Sequence, residues 1–155
     1  MALRLSTGLR NTMLADASLQ DAMANGVLYI YSGPQPTDPD AAASGTLLLK
    51  VTVGSGAFAH GTATNGLNLG TPAAGVISKA TGEVWSGVAV ATGTAGYYRF
   101  CANGTDSEPS DADTTRKSID GAISTSGAQL NMSSTAITTG ATTTIDSFSL
   151  ALPAS

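Results

Sequence analysis

Cysteine is the first shortage. Cys101 stands alone, so no intrachain disulfide is possible and the fold is not expected to depend on an oxidising compartment. Charge is scarce as well: charged residues are 12% of the 155-residue chain, where an average soluble domain carries about 25%. The 7 Lys and Arg are scattered and outnumbered by 11 Asp and Glu, for a net charge of -4. No basic stripe exists to displace counterions from a nucleic acid. No stretch approaches the roughly 18 uninterrupted apolar residues of a membrane span. The opening MALRLSTGLR has no apolar run between Arg4 and Arg10 to act as a secretory signal. These shortages predict one domain over 1–155, made in the cytoplasm, with neither membrane nor nucleic acid as partner.

Reactive groups are equally sparse. His60 is the single histidine, the residue type that moves most protons near neutral pH, and it sits in AFAHGTA with no Asp, Glu or Cys beside it. A pairing of His60 with Cys101 is set aside, because Cys101 falls in an apolar strand where a thiol is usually an inert filler. Asp106, Glu108, Asp111 and Asp113 crowd into DSEPSDAD, but the spacing does not fit a twelve-residue calcium loop and Pro109 interrupts it. A solvated loop tip is the better reading. Gly54-Ser55-Gly56 lacks the Lys and following helix of a phosphate cradle. Glu83 and Glu108 are the only glutamates, and neither lies in an apolar setting that would tune an acid–base pair. No catalytic, cofactor or metal residue is nominated, and an enzyme is not expected.

What the chain does contain is Thr, Ser, Ala and Gly. Leu, Ile, Val and Phe make up slightly under a fifth of it, which at low charge predicts a lean β core. The spacing of Leu9, Met13 and Ala17, widened by Leu14 and Met23, predicts one amphipathic helix over 7–24, within an N-terminal segment 6–25. Ser6 or Thr7 would supply the N-cap and Asn25-Gly26 the stop. The β body then occupies 27–152. In VLYIY, Val27, Tyr29 and Tyr31 share one face and Leu28 and Ile30 the other, so both faces are to be covered. Three prolines in 33–39 make the next segment an extended loop. Strands are expected over 46–53, 83–91, 96–102, 119–123, 128–132 and 142–152, with weaker ones near 57–59, 66–69 and 75–79. In GYYRFCA, Tyr98 and Phe100 oppose Tyr97, Arg99 and Cys101. Many short strands with Gly, Ser, Asn and Asp between them predict a mainly β fold. The expected form is an antiparallel β-sandwich or jelly roll preceded by one N-terminal α-helix.

Such a composition favours contact over chemistry. A surface of Thr, Ser, Ala and Gly loses little side-chain entropy on being ordered against a partner. Trp, Tyr and Arg are enriched where interfaces hold tightest, which nominates Trp85, Tyr97 and Arg99 as an outward contact face. Leu9 and Met13 on the helix and Pro34 and Pro36 in the loop complete the nominated interface.

The opening LRLSTGLRNTML, followed by GVLYIYSGPQPTDPDAAASGTLLLKVTV, resembles the start of a family of small tailed-bacteriophage structural proteins. GYYRFCANG, SIDGAIS and the Thr-rich close before FSL are similar to the later part of that pattern, so the likeness covers most of the chain. The Tyr97-Tyr98 pair and the long acidic segment 106–113 depart from it. The resemblance implies a β-rich, virion-associated protein. The leading expectation is a capsid cement or decoration protein that bridges major-capsid subunits as a dimer or trimer, with β-augmentation adding main-chain hydrogen bonds. A tail- or neck-associated subunit is the alternative. A glycan- or receptor-binding β-sandwich, which an exposed Trp85 flanked by acidic residues would favour, stands third.

Overall fold

The computed structural model describes residues 3–104 and 109–152. Ser6 is the N-cap of α1 (Thr7–Ala15), its hydroxyl accepting from the Leu9 amide at 3.2 Å. The expected single helix then breaks. Asp16 and Ala17 both donate to the Thr12 carbonyl, which closes α1, and Ser18 caps a separate turn, α2 (Leu19–Ala22), by accepting from the Asp21 amide. The correction has a local cause: Ser18 with Asp21 three residues on is itself a helix start, and a new N-cap needs non-helical backbone before it. Asn25 adopts φ 55°, the left-handed conformation foreseen for the stop.

Among the described residues there are eleven strands, most of them on short apolar or β-branched runs. They are β1 (Arg4–Leu5), β2 (Val27–Ser32), β3 (Leu47–Val53), β4 (Val76–Ser78), β5 (Trp85–Val88), β6 (Gly93–Cys101), β7 (Ser118–Ser124), β8 (Leu130–Asn131), β9 (Ala136–Ile137), β10 (Thr142–Thr144) and β11 (Ser147–Ala151). Nine of them form a continuous path, β10-β5-β3-β2-β6-β7-β8-β11-β4, while β1 pairs with β7 and β9 with β6. The segment 57–59 forms no strand, and 66–69 contributes only isolated bridges at Leu67 and Leu69.

The fold is mainly β, but as one strongly curled mixed sheet, a half-barrel, instead of the expected two-sheet antiparallel sandwich or jelly roll. β7 and β8 run parallel, with Ile123 beside Leu130. The curl follows from connectivity. β10 is first on the path and β11 eighth, a separation of about 34 Å in a flat sheet at ~4.8 Å per strand. Yet Thr144 and Ser147 are three Cα steps apart, at most about 11 Å. The sheet has to roll until its ends nearly meet. Consecutive amides make the handover: Ile145 donates to the Trp85 carbonyl of β5 at 2.8 Å, and Asp146 to the Asn131 carbonyl of β8 at 2.9 Å.

The rolled interior is filled by aromatic rings. Phe148 of β11 lies 5.4 Å, centroid to centroid, from Trp85 and from Tyr98, and 5.7 Å from Phe100. Leu28, Ile30, Ile119, Leu130 and Met132 complete this inner core, which α1 closes by inserting Leu9. α1 sits tight against the backbone because Gly8 packs on the Thr115 carbonyl, where a Cβ would collide. The outer face of β2 and β6 carries a second cluster, Val27, Tyr29, Tyr31, Tyr97 and Cys101. The alternation read from VLYIY and GYYRFCA therefore holds residue by residue.

Candidate interaction surfaces

Of the seven nominated contact residues, four are inside. Leu9 is fully buried in the inner core, and Trp85 lies there too, its Nε1 donating to Glu83 Oε2 at 2.8 Å. Glu83 is thus a clasp: its other carboxylate oxygen accepts from Asn68 Nδ2 at 2.8 Å. A buried Trp85 offers no platform for stacking a sugar ring, the feature that would have favoured a glycan-binding reading. Trp85 faces inward with Gly87 and Ala89, which are also buried on that side of the strand, whereas Val84, Val88 and Val90 alternate onto the other side, where they are exposed and Ser86 between them is covered by its bond to Ser55. Tyr97 and Arg99 do sit on the outer face of β6, but both are fully buried. The loop between β2 and β3 covers them.

That loop is a strap. Arg99 makes a bidentate pair with Asp120 of β7, Nε to Oδ1 and Nη2 to Oδ2 both at 2.7 Å. The pair forms because Arg99 and Asp120 are direct cross-strand neighbours in the β6–β7 register. The remaining guanidinium nitrogen, Nη1, donates to the Ala41 carbonyl at 2.7 Å, and Arg116 Nη2 reaches the same oxygen at 3.3 Å. Tyr97 stacks on Tyr31, and its hydroxyl both donates to the Ser44 carbonyl and accepts from the Ser44 amide at 2.9 Å. Asp40 accepts from the Thr7 amide at 2.9 Å, tying the strap to the start of α1, and Arg4 bonds the Thr37 carbonyl. The expected proline arm is therefore fastened along its length, with Pro34 exposed and Pro36 half-buried.

The electrostatics follow from burial. Desolvation raises the Asp120 carboxyl above the ordinary carboxylate range, opposed by the guanidinium paired with it. Arg99 stays charged because the Asp120 carboxylate outweighs its own desolvation. Burial pushes the Cys101 thiol up to about 12, so its thiolate is inaccessible near neutrality. His60 Nε2 lies 3.2 Å from the Tyr29 hydroxyl, and its ring meets Phe58 edge-on, so it belongs to the outer-face packing and not to Cys101. In the acidic segment, Asp106 and Glu108 lie outside the described residues. Asp113 is held below the usual carboxylate range by bonds from the Thr115 hydroxyl and amide. Among the described residues no three of His, Cys, Asp and Glu gather to hold a metal ion, and no helix is long and apolar enough to cross a membrane.

Two surfaces remain open and apolar. One is a groove of about 180 Å³ between the N-terminal segment and the sheet edge, lined by Leu3, Leu5, Met13, Val76, Leu150 and Leu152 among others. Met13 is the nominated helix residue that reaches it. The other is a row on β5 and its continuation, Val84 (58% exposed), Val88 (49%) and Val90 (64%). It lies beside β10, which ends the path and carries only threonines. No charge or proline interrupts 84–94 or 133–145. Sheet edges are commonly blunted by such residues, and a strand edge without them is open to pairing, here over the three residues of β10. The valine row is not legible from Trp85 alone, which as an interface-type residue reads as outward-facing. The small Gly87 and Ala89 flanking it on its own side of the strand were the signal, since a core takes its largest ring next to its smallest neighbours.

Comparison with known proteins adds no kinship: no family model matches the chain, and neither a curated protein nor a solved structure is significantly similar to it.

Proposed function

We propose that this chain is a capsid cement or decoration protein of a tailed bacteriophage, holding the head shell together by bridging neighbouring major-capsid subunits. The observation that carries the reading is the uncharged valine row, Val84, Val88 and Val90, beside the open threonine edge β10. Apolar side chains left half-exposed next to an unprotected strand edge suit a partner that adds a strand and covers them. The Ser-, Thr- and Ala-rich exterior supports the same reading, since ordering it costs little entropy. The sequence likeness to small phage structural proteins supplies the virion context. No reaction is involved; the mechanism is binding free energy that opposes shell opening, from a dimer or trimer of this chain seated on capsid protein.

Gel analysis of purified particles of the encoding phage tests it. A band near the abundance of the major capsid protein is the expected result. A band at the few copies of a ring would transfer the protein to the tail or neck, and its absence from particles would end the proposal. On the molecular side, Val88→Lys with Val90→Lys should leave the melting temperature within a few degrees of wild type, because both side chains are already in water. The same change should abolish co-sedimentation with empty capsid shells, since an unpaired ammonium in an apolar interface costs several kcal/mol, on the order of a thousandfold in affinity.

A further inference from the structure

We infer that residues 33–44 are a releasable strap: a segment that opens as its own unit while the rolled sheet stays folded, uncovering Tyr31, Tyr97 and Arg99. Three observations converge. The strap's hold on its surroundings is polar: the Ala41 carbonyl under Arg99 and Arg116, the Ser44 backbone on Tyr97, the Ala43 amide on the Pro109 carbonyl and the Asp40 carbonyl under the Asp113 amide, with the Asp40 side chain and Thr37 secured at the N-terminal segment. Its apolar attachment is small: among the described residues, Ala43 is the strap hydrophobic packed against the outer cluster, and Pro36 and Pro39 are half-buried. The strands beneath it are held from the other side by the inner core, to which no strap residue contributes. A segment held mainly by hydrogen bonds near the surface opens at lower free energy than strands locked by buried rings.

The arrangement also accounts for the composition of the outer face. A bidentate ion pair with no access to water is a costly way to stabilise a sheet, because desolvation consumes most of its Coulomb energy. Arg99 does something an apolar residue of its size could not: its third donor grips the strap. Arg116 grips the same carbonyl from the next layer. With the strap lifted, the stacked Tyr31 and Tyr97 rings and the Arg99 guanidinium come into water together, the residue types on which interfaces most depend. The contact face that the sequence suggested is thus present but covered, and opening of the strap is the event that would present it.

Native-state hydrogen exchange on the full chain tests this. The Ala43 amide, bonded to the Pro109 carbonyl, and the Ser44 amide, bonded to Tyr97, are the probes, read against amides within the β2–β6 ladder. The expected result is strap exchange at least roughly tenfold faster than ladder exchange, and insensitive to low denaturant, as local openings are. Tyr97→Phe keeps the stack but removes the hydroxyl grip, and should speed the Ser44 amide a further five- to tenfold or so. Should Tyr97→Phe fold poorly, the replacement pair Arg99→Met with Asp120→Leu is the second variant. It removes both charges together and should free the Ala43 amide while ladder amides remain the slowest. Strap and ladder amides exchanging at one rate with one denaturant dependence, in wild type and in the variants, would overturn the inference.

Discussion

The two faces of β2 and β6 are built from the same strands and solve burial in opposite ways. On the inner face Leu28, Ile30, Tyr98 and Phe100 meet Trp85 and Phe148, and almost everything is hydrocarbon. On the outer face the same backbone presents Tyr29, Tyr31, Tyr97, Arg99 and Cys101, and every large side chain carries a polar end or a charge. Adjacent residues in one strand, Tyr98 and Tyr97, live under these two regimes. The inner face holds the fold by area removed from water, whereas the outer face holds a particular loop in a particular place by directed bonds. The first kind of contact is strong and indifferent to geometry; the second is weaker in sum but specific.

Phe148→Ala should produce the largest loss. The ring touches Trp85, Tyr98 and Phe100 at once, and it joins the eighth strand of the path to the second and the fifth. Truncation leaves a cavity at the point where the sheet closes on itself, and a cost of about 4–5 kcal/mol in chemical denaturation is expected. If the loss were under about 1 kcal/mol, the closure would not rest on this ring and the inner face would not be the dominant hold.

Arg99→Met should come next, at about 3 kcal/mol near neutral pH, because it strands the Asp120 carboxylate in the interior. Its pH dependence separates the two faces. Burial already raises Asp120, and without the guanidinium it rises further. A carboxyl whose folded pKa lies above its unfolded value binds protons more tightly when folded, so its penalty is absent in acid and grows as pH rises through that window. The deficit of Arg99→Met against wild type should therefore shrink at pH near 4 and widen toward 7, while that of Phe148→Ala stays flat. Equal slopes in the two variants would mean that Asp120 is not desolvated as the packing indicates.

These contrasts show what a sequence can reveal and what it hides. The alternation of Val27, Tyr29 and Tyr31 against Leu28 and Ile30 is a property of five consecutive residues, and it is readable because strand side chains change face at every step. The Ser6 cap and the Asn25 stop are local in the same sense. The partner of Arg99 is not: Asp120 is 21 residues away and meets it only through the register of β6 with β7. An arginine read without its partner looks like a surface residue, and so Arg99 and Tyr97 were placed outward when the strap in fact covers them. The curl was hidden for a related reason. The segment 142–152 reads as one strand, and only the pairing of its halves with β5 and β8 shows that two residues, Ile145 and Asp146, close the sheet. Face assignment is local information; which face is covered, and by what, is not.

The finest comparison is between the neighbouring tyrosines, and it predicts effects of opposite sign. Tyr97→Phe removes a hydroxyl that both donates to and accepts from Ser44, so about 1 kcal/mol of stability should be lost. Tyr98→Phe removes a buried hydroxyl that has no hydrogen-bond partner among the described residues. It is packed so closely that a Cβ on Gly121 would lie 2.5 Å from it. That hydroxyl gave up its water on folding and received nothing in exchange, so its deletion should be neutral or stabilising by up to about 1 kcal/mol. The two variants differ from wild type by the same single oxygen, in adjacent residues of the same strand, which cancels most effects on the unfolded chain. A shift of melting temperature downward for Tyr97→Phe and level or upward for Tyr98→Phe would support an outer face held by directed bonds and an inner face held chiefly by packing. A fall of equal size in both would erase the distinction between the faces.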